Sequence, residues 1–404
     1  MALRVCVIGA GPAGMTAASV AAQNGFQTVL IEHGERVGRK ILLTGNGKCN
    51  FTNLHLDESC YHAGTEKFAA RALSHFGADD AVRWFRTLGI EPLEKHGGYL
   101  YPHSEQASSV LNALRSELDR TGVRVRTACN VKRITRRPDG VFRVQTDLEM
   151  IAADRIILAA GSRAASSTGS DGSGYDLASS LGHHIIEPHP ALCALFCAEK
   201  DFFKAVAGVR VSGEIRLLLE GGEAERAAGE IQLNASGLSG IPTFQVSGAA
   251  GRALALGRRT EAAVNFLPDY SDLAEFLRKR ASARPYGTLE ALGNGLLNKS
   301  LWIALVKRAG LKPGTDPADL MEVEYHELAD AVQNGRYRII RTAGFEQAQT
   351  CSGGVDTSEV NPDTMESLLV PGLFFAGEIL DVDGICGGYN LQWCWTSGHL
   401  AGGA

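Results

Sequence analysis

Gly9, Gly11 and Gly14 share one short segment with Ala10, Pro12 and Ala13, and an acid, Glu32, follows downstream. Glycines at this spacing permit a tight turn, a close approach of backbone to a pyrophosphate, and close packing of a helix on a strand. An acid in the place of Glu32 accepts hydrogen bonds from ribose hydroxyls. That chemistry is the binding of a dinucleotide, and it needs its elements in a fixed order. The run Leu3-Arg4-Val5-Cys6-Val7-Ile8 is short, apolar and β-branched, suited to a parallel strand buried on both faces. Met15 to Ala22 reads as a small-residue helix that stops near Asn24-Gly25, with its N-terminus towards the pyrophosphate. A second strand, Thr28 to Ile31, ends at the acid. A glycine-rich structural turn leaves that acid unexplained, so the segment predicts a dinucleotide site.

Later segments select flavin adenine dinucleotide (FAD) over a nicotinamide cofactor. His33 adjoins the acid, and Gly38-Arg39-Lys40 with Thr44-Gly45-Asn46-Gly47-Lys48-Cys49-Asn50 follow closely, bringing donors and backbone amides that wrap adenosine and pyrophosphate. Val131 falls where backbone contacts hold an adenine. Arg155 to Gly161 is a strand that ends in Ala159-Ala160-Gly161, small enough for the chain to return past the cofactor. Leu373 to Glu378 is a late apolar strand ending in Gly377-Glu378, and that acid is placed to bond a ribityl chain. Asp381 and Asp383 close the next turn. Gly387-Gly388-Tyr389-Asn390-Leu391 then open a C-terminal helix whose first amides bring positive partial charge to the N1–C2=O edge of a flavin. No second strand–GxGxxG–helix unit follows. NAD(P)H is therefore expected as a transient electron donor without a domain of its own.

The chain has 404 residues, 40 Lys and Arg against 45 Asp and Glu, and a net charge of −5. That balance argues against a broad nucleic-acid footprint, so no nucleic-acid partner is expected. No run is long and apolar enough to span a membrane. Nine cysteines without a CxxC pair, and no signal-peptide pattern at the N-terminus, place the expected address in the cytoplasm. The histidines lack metal-ligand spacing, so no metal is expected.

The expected fold class is α/β. A Rossmann-like FAD-binding domain is assembled from residues 1–187 and 341–404, with a β-rich, barrel-like insert at 188–270 and a small helical insert at 271–340. Gly169 to Gly174 reads either as a helix start that approaches the flavin closely or as a loop with an N-cap at Asp171. Tyr389 is a candidate to face a substrate, with core packing as the alternative. Tyr99 and Tyr101 are candidates to line a pocket over the flavin ring, and Cys351 is a candidate to approach the flavin, with an unreactive small residue as the alternative. Cys49 is better explained by a backbone-driven cofactor loop than by nucleophilic chemistry. Arg258-Arg259 and Arg278-Lys279-Arg280 read as solvated faces or a contact for an NAD(P)H phosphate. No residue is assigned as catalytic acid.

Several blocks carry a family resemblance. Gly38-Arg39-Lys40, the 44–53 loop, Gly344-Phe345-Glu346, Gly353-Gly354-Val355, Met365-Glu366, Gly372 to Gly384 and Gly387 to Gln392 resemble the BaiN/RdsA (YhiN-like) flavoproteins. The likeness covers both chain ends strongly and the middle loosely. It implies bound FAD, a three-part fold, and enzymes that reduce unsaturated steroid-like ketones or oxidise aminoacetone. Two departures stand out. Gly161-Ser162-Arg163-Ala164 replaces the usual Gly-Gly-x-Ser, and Asn234 to Pro242 lacks the common Thr-His pair. With the resemblance, the residues predict an NAD(P)H-fed FAD reductase of a small conjugated enone. The alternatives are an amine oxidase making H2O2, a tRNA-modifying flavoprotein and a non-catalytic flavin binder. Enone reduction needs hydride from flavin N5 at the β-carbon, a proton at the α-carbon and donors on the carbonyl.

Overall fold

The structure, a computed structural model, describes residues 2–404. In chain order, β1 (Arg4–Ile8) leads through α1 (Pro12–Gln23) to β2 (Gln27–Ile31), and β3 (Arg124–Arg126), β4 (Arg155–Leu158) and α2 (Ser173–Ser180) follow. Six strands come next: β5 (Leu195–Cys197), β6 (Arg210–Leu219), β7 (Gly222–Asn234), β8 (Gly237–Gly240), β9 (Thr260–Asn265) and β10 (Gly335–Thr342), with α3 (Ile241–Ala255) between β8 and β9. The chain closes with β11 (Leu373–Phe375) and α4 (Tyr389–Gly403).

These elements form two compact units. One comprises the chain up to His189 together with Phe345–Ala404, and the other is Pro190–Gly344. The first holds a parallel sheet in the order β11-β4-β1-β2-β3. Val5, Cys6, Val7 and Ile8 are all buried, which suits a strand with neighbours on both edges and both faces covered. α1 is nearly all small residues because α4 lies directly against it. A Cβ on Gly398 would stand 2.6 Å from the Ala13 carbonyl oxygen, and one on Gly402 would stand 2.4 Å from that of Ala17. The two ends of the chain thus meet along a seam that only glycine permits.

The second unit is a closed barrel in the order β5-β8-β7-β6-β9-β10. The stretch 271–340, expected as a separate helical insert, shares the barrel's core. Trp302, Leu305, Leu328 and Val332 cluster with Ile215, Leu217, Val264 and Tyr337. Its last residues, from Gly335, belong to β10, which pairs with β5 and β9 and closes the barrel. Among the described residues no helix is long and apolar enough to cross a membrane, and no group of His, Cys, Asp and Glu is arranged to hold a metal ion.

Candidate functional site

A groove of about 280 Å³ opens over the C-terminal ends of β1, β2 and β4 in the first unit. Its wall includes Gly9 to Ala13, Glu32, His33, Gly38 to Lys40, Val131, Ala159 to Gly161 and Glu378, all of them sequence candidates. The three glycines have separate tasks. Gly9 has φ of +100°, and a Cβ there would lie 2.4 Å from the Ala159 carbonyl oxygen. Gly14 keeps α1 close to the turn, since its Cβ would fall 1.8 Å from the Gly9 carbonyl oxygen. Gly11 would place a Cβ in open space, so its lack of a side chain keeps the groove clear. Gly11 is also the N-cap of α1 and supplies no side-chain acceptor, which leaves first-turn amides for an anion.

Glu32 is fixed by its own neighbourhood. Its Oε2 accepts from the Ala10 amide at 2.9 Å and its Oε1 from the Gly34 amide at 2.7 Å. Each carboxylate oxygen retains a lone pair, which suits a pair of ribose hydroxyls. Across the groove Lys40 pairs with Glu378, to which the buried Ser162 hydroxyl also donates at 3.2 Å. Lys40 is therefore held by a carboxylate as well as facing the groove. Arg39 donates to the Ser167 carbonyl at 2.7 Å and pins the 166–169 turn to the rim. The N-cap of α2 is Gly172, in the left-handed region, and not Asp171 as the loop reading expects. Asp171 accepts from the Ser173 amide and hydroxyl, and Gly169 to Asp171 line the groove.

The remaining candidates gather at a second place in the same unit. The 44–53 loop lies against the start of α4, where Asn53 Nδ2 donates to the Gly387 carbonyl at 3.1 Å and Thr52 Oγ1 donates to Gln392 Oε1 at 2.6 Å. Gly45, Asn46, Gly47 and Cys49 have positive φ in this loop, which bends on Thr44. A Cβ on Gly388 would come within 3.0 Å of Asn50 Oδ1, a buried oxygen with no protein partner. Asn390 spans the turn after Asp383, accepting from the Gly384 amide and donating to its carbonyl. Leu391 is buried beneath it. Gly377 has φ of +79° and is held by Ser397 Oγ and Trp393 Nε1, joining the β11 end to α4.

Tyr389 donates to the His55 carbonyl at 3.1 Å, so its hydroxyl serves the fold. The Tyr99 and Tyr101 rings lie over Gly387 and Gly45. Burial pushes the Cys49 thiol up to about 12 and raises Cys351 as well, so neither is a thiolate at neutral pH. Arg36, Cys129, Asn130, Lys132, Leu177 and Cys394 also line the groove and were not singled out. Cys129, Asn130 and Lys132 flank Val131 in the sequence, and that adjacency is the signal that could have found them.

The glycine cradle, the anchored acid, two helix starts without side-chain caps and the partnerless Asn50 oxygen fit FAD: ribose at Glu32, pyrophosphate at α1, and the flavin's polar edge at α4.

Known proteins place the chain. The family model described as "HI0933-like protein Rossmann domain" matches residues 3–404. The chain is similar to the 3-dehydro-bile acid delta(4,6)-reductase of Clostridium scindens, 40% identical over 99% of this chain and 98% of that protein. It is also similar to the ribosomal RNA dihydrouridine synthase of Escherichia coli, 30% identical over 97% of this chain and 95% of that one. Among solved structures, a 3-ketosteroid-delta4-(5alpha)-dehydrogenase from Rhodococcus jostii RHA1 shares the fold, with a TM-score of 0.50 at 17% identity over 99% of this chain and 96% of that one. The chain belongs to the HI0933-like family and is an FAD-dependent oxidoreductase.

Proposed function

We propose that this enzyme reduces a carbon–carbon double bond conjugated to a carbonyl in a small enone-like molecule, with NAD(P)H as electron donor. The observation that carries the reading is the near full-length likeness, at 40% identity, to a reductase of 3-dehydro-bile acids. Bound FAD supplies the hydride chemistry. The protein's residues bind and orient. Glu32 takes the ribose hydroxyls, the α1 amides the pyrophosphate, and the α4 amides favour negative charge on the flavin edge. Lys40, neutralised by Glu378, adds little net charge to the groove. Cys49 and Cys351 stay protonated, which speaks against covalent catalysis by either thiol. Nine free thiols suit a reducing cytoplasm.

The test is an anaerobic titration of the yellow holoprotein with NADH, NADPH and then simple amines, read at the flavin absorbance band. Bleaching by a nicotinamide and reoxidation by an enone are expected. Bleaching by amines alone would sink the reading in favour of an oxidase.

A second acceptor follows the same chemistry. The C5=C6 bond of uracil is also conjugated to a carbonyl, and relatives at about 30% identity are named ribosomal RNA dihydrouridine synthases. The observation in its favour is a row of arginines on β10.

A further inference from the structure

β10 alternates strictly over its first residues. Tyr337 and Ile339 are buried in the barrel core, while Arg336, Arg338 and Ile340 point outward. After a shift of register beside Phe196, the exposed Arg341 follows, its guanidinium 3.4 Å from the Phe196 ring centroid. Same-face positions on a strand repeat at about 6.6 Å. None of the three arginines forms an ion pair among the described residues.

Two grooves within the same unit meet the strand at successive points along its length. One, of about 780 Å³, is lined by Arg216, Arg308 and Arg336, with Glu223, Glu327 and Asp330 on its wall. The other, of about 600 Å³, is lined by Arg258, Arg259, Arg338 and Ile340. Three acids near the row are committed elsewhere. Glu261, opposite Arg338, holds Arg259 at 2.8 Å, Glu199 accepts the Arg338 amide at 3.1 Å, and Glu223 holds Arg226 at 2.9 Å. Arg308 donates to the Arg336 carbonyl and lies over the Tyr337 ring.

We infer that the outer face of β10 is a docking surface for the phosphate backbone of single-stranded RNA. The same-face guanidinium forks of Arg336 and Arg338, with Arg341 beyond the register shift, match the repeat of a phosphodiester, and the groove beside Arg338 carries Arg258 and Arg259 with no acid on its lining. The Arg341 plane, backed by the Phe196 ring, and the exposed Ile340 beside it offer stacking and apolar contact to splayed bases. Strand faces of small barrels are a known platform for oligonucleotides. The inference rests on the uracil reading above and goes beyond it by naming the surface.

The test uses the FAD-loaded full chain and a fluorescently labelled, mixed-sequence single-stranded RNA, read by anisotropy across a salt series. Binding is expected to weaken linearly in log–log form, with a slope near −2 if three phosphates are met, since each contributes about 0.7. The double variant Arg336→Glu/Arg338→Glu should lose at least tenfold in affinity and about 1.4 in slope. Its melting temperature and flavin spectrum report that the fold is intact. Arg278→Glu, already paired with Glu275 on another helix, should bind as the parent does. Absence of binding, binding that the double variant leaves unchanged, or equal binding of DNA and heparin would overturn the inference. Mass spectrometry of the RNA for a gain of two hydrogens on uridine is a separate arm. Binding without that gain sinks the uracil reading and keeps the surface. Gain without a role for β10 does the reverse.

Discussion

In the groove of the first unit the backbone does the positioning. Gly9, Gly14 and the α1–α4 seam place main-chain atoms where no other residue allows them, and Glu32 is fixed by two amides. In the barrel unit side chains do it. Trp302, Tyr337, Leu305 and Ile215 fill a core between strands that are far apart in sequence. Backbone constraints leave a local signature, glycine at set intervals. A packed barrel leaves only alternation and burial, which many folds share. The contrast predicts that substitutions in the first unit act through geometry at single atoms, and those in the second through volume.

The largest effect should come from Gly14→Val. Its Cβ would stand 1.8 Å from the Gly9 carbonyl oxygen, which the turn cannot yield. We expect loss of bound FAD and of several kcal/mol of stability, measured by the 450 nm band and a thermal melt. A stable yellow Gly14→Val protein would break the contrast. Trp302→Ala should cost about 3–5 kcal/mol, because it empties a buried site and orphans the Leu289 carbonyl it bonds at 2.7 Å. Its effect belongs to the barrel, so partly unfolded protein should retain flavin. Simultaneous loss of colour in a denaturant series would show that the units unfold as one.

Glu32→Gln is milder. A carboxamide has one acceptor oxygen, so either the Ala10 or the Gly34 amide faces an NH2 group. We expect about 1.5–3 kcal/mol weaker FAD binding, roughly ten- to a hundredfold, by fluorescence titration. The smallest effect is at Asp363, whose carboxyl is held down to about 2, first by Arg71 and then by His75. Its folded pKa lies below the unfolded value near 3.9, so its contribution is present above about pH 4 and fades as pH falls towards 2. Asp363→Asn should lower the melting temperature slightly at pH 6 and leave it unchanged at pH 2. A larger gap at the lower pH would contradict the pairing.

The same contrast explains what was legible in the chain. The order of strand, glycine turn, helix, strand and acid is a local code, and the structure brings Gly9 to Ala13, Glu32, Lys40, Ala159 to Gly161 and Glu378 around one groove. The partnership of Lys40 with Glu378 was not legible, because it spans most of the chain. Nor was the use of the Tyr389 hydroxyl, whose acceptor is a carbonyl in a distant loop. β10 was hidden inside a helical stretch. Arg336-Tyr337-Arg338-Ile339 alternates, yet four residues of alternation carry little weight beside a longer helical pattern. A net charge of −5 likewise averages away a row of three arginines on one strand.

The glycine seam between α1 and α4 also sets a schedule. α1 leaves the ribosome well before α4, so at roughly 5–20 residues per second the groove waits tens of seconds for the wall that α4 supplies. During that interval the barrel's core, drawn entirely from residues 195–339, has everything it needs. The inserted unit is therefore free to fold first, and the cofactor site is completed only when α4 returns to α1.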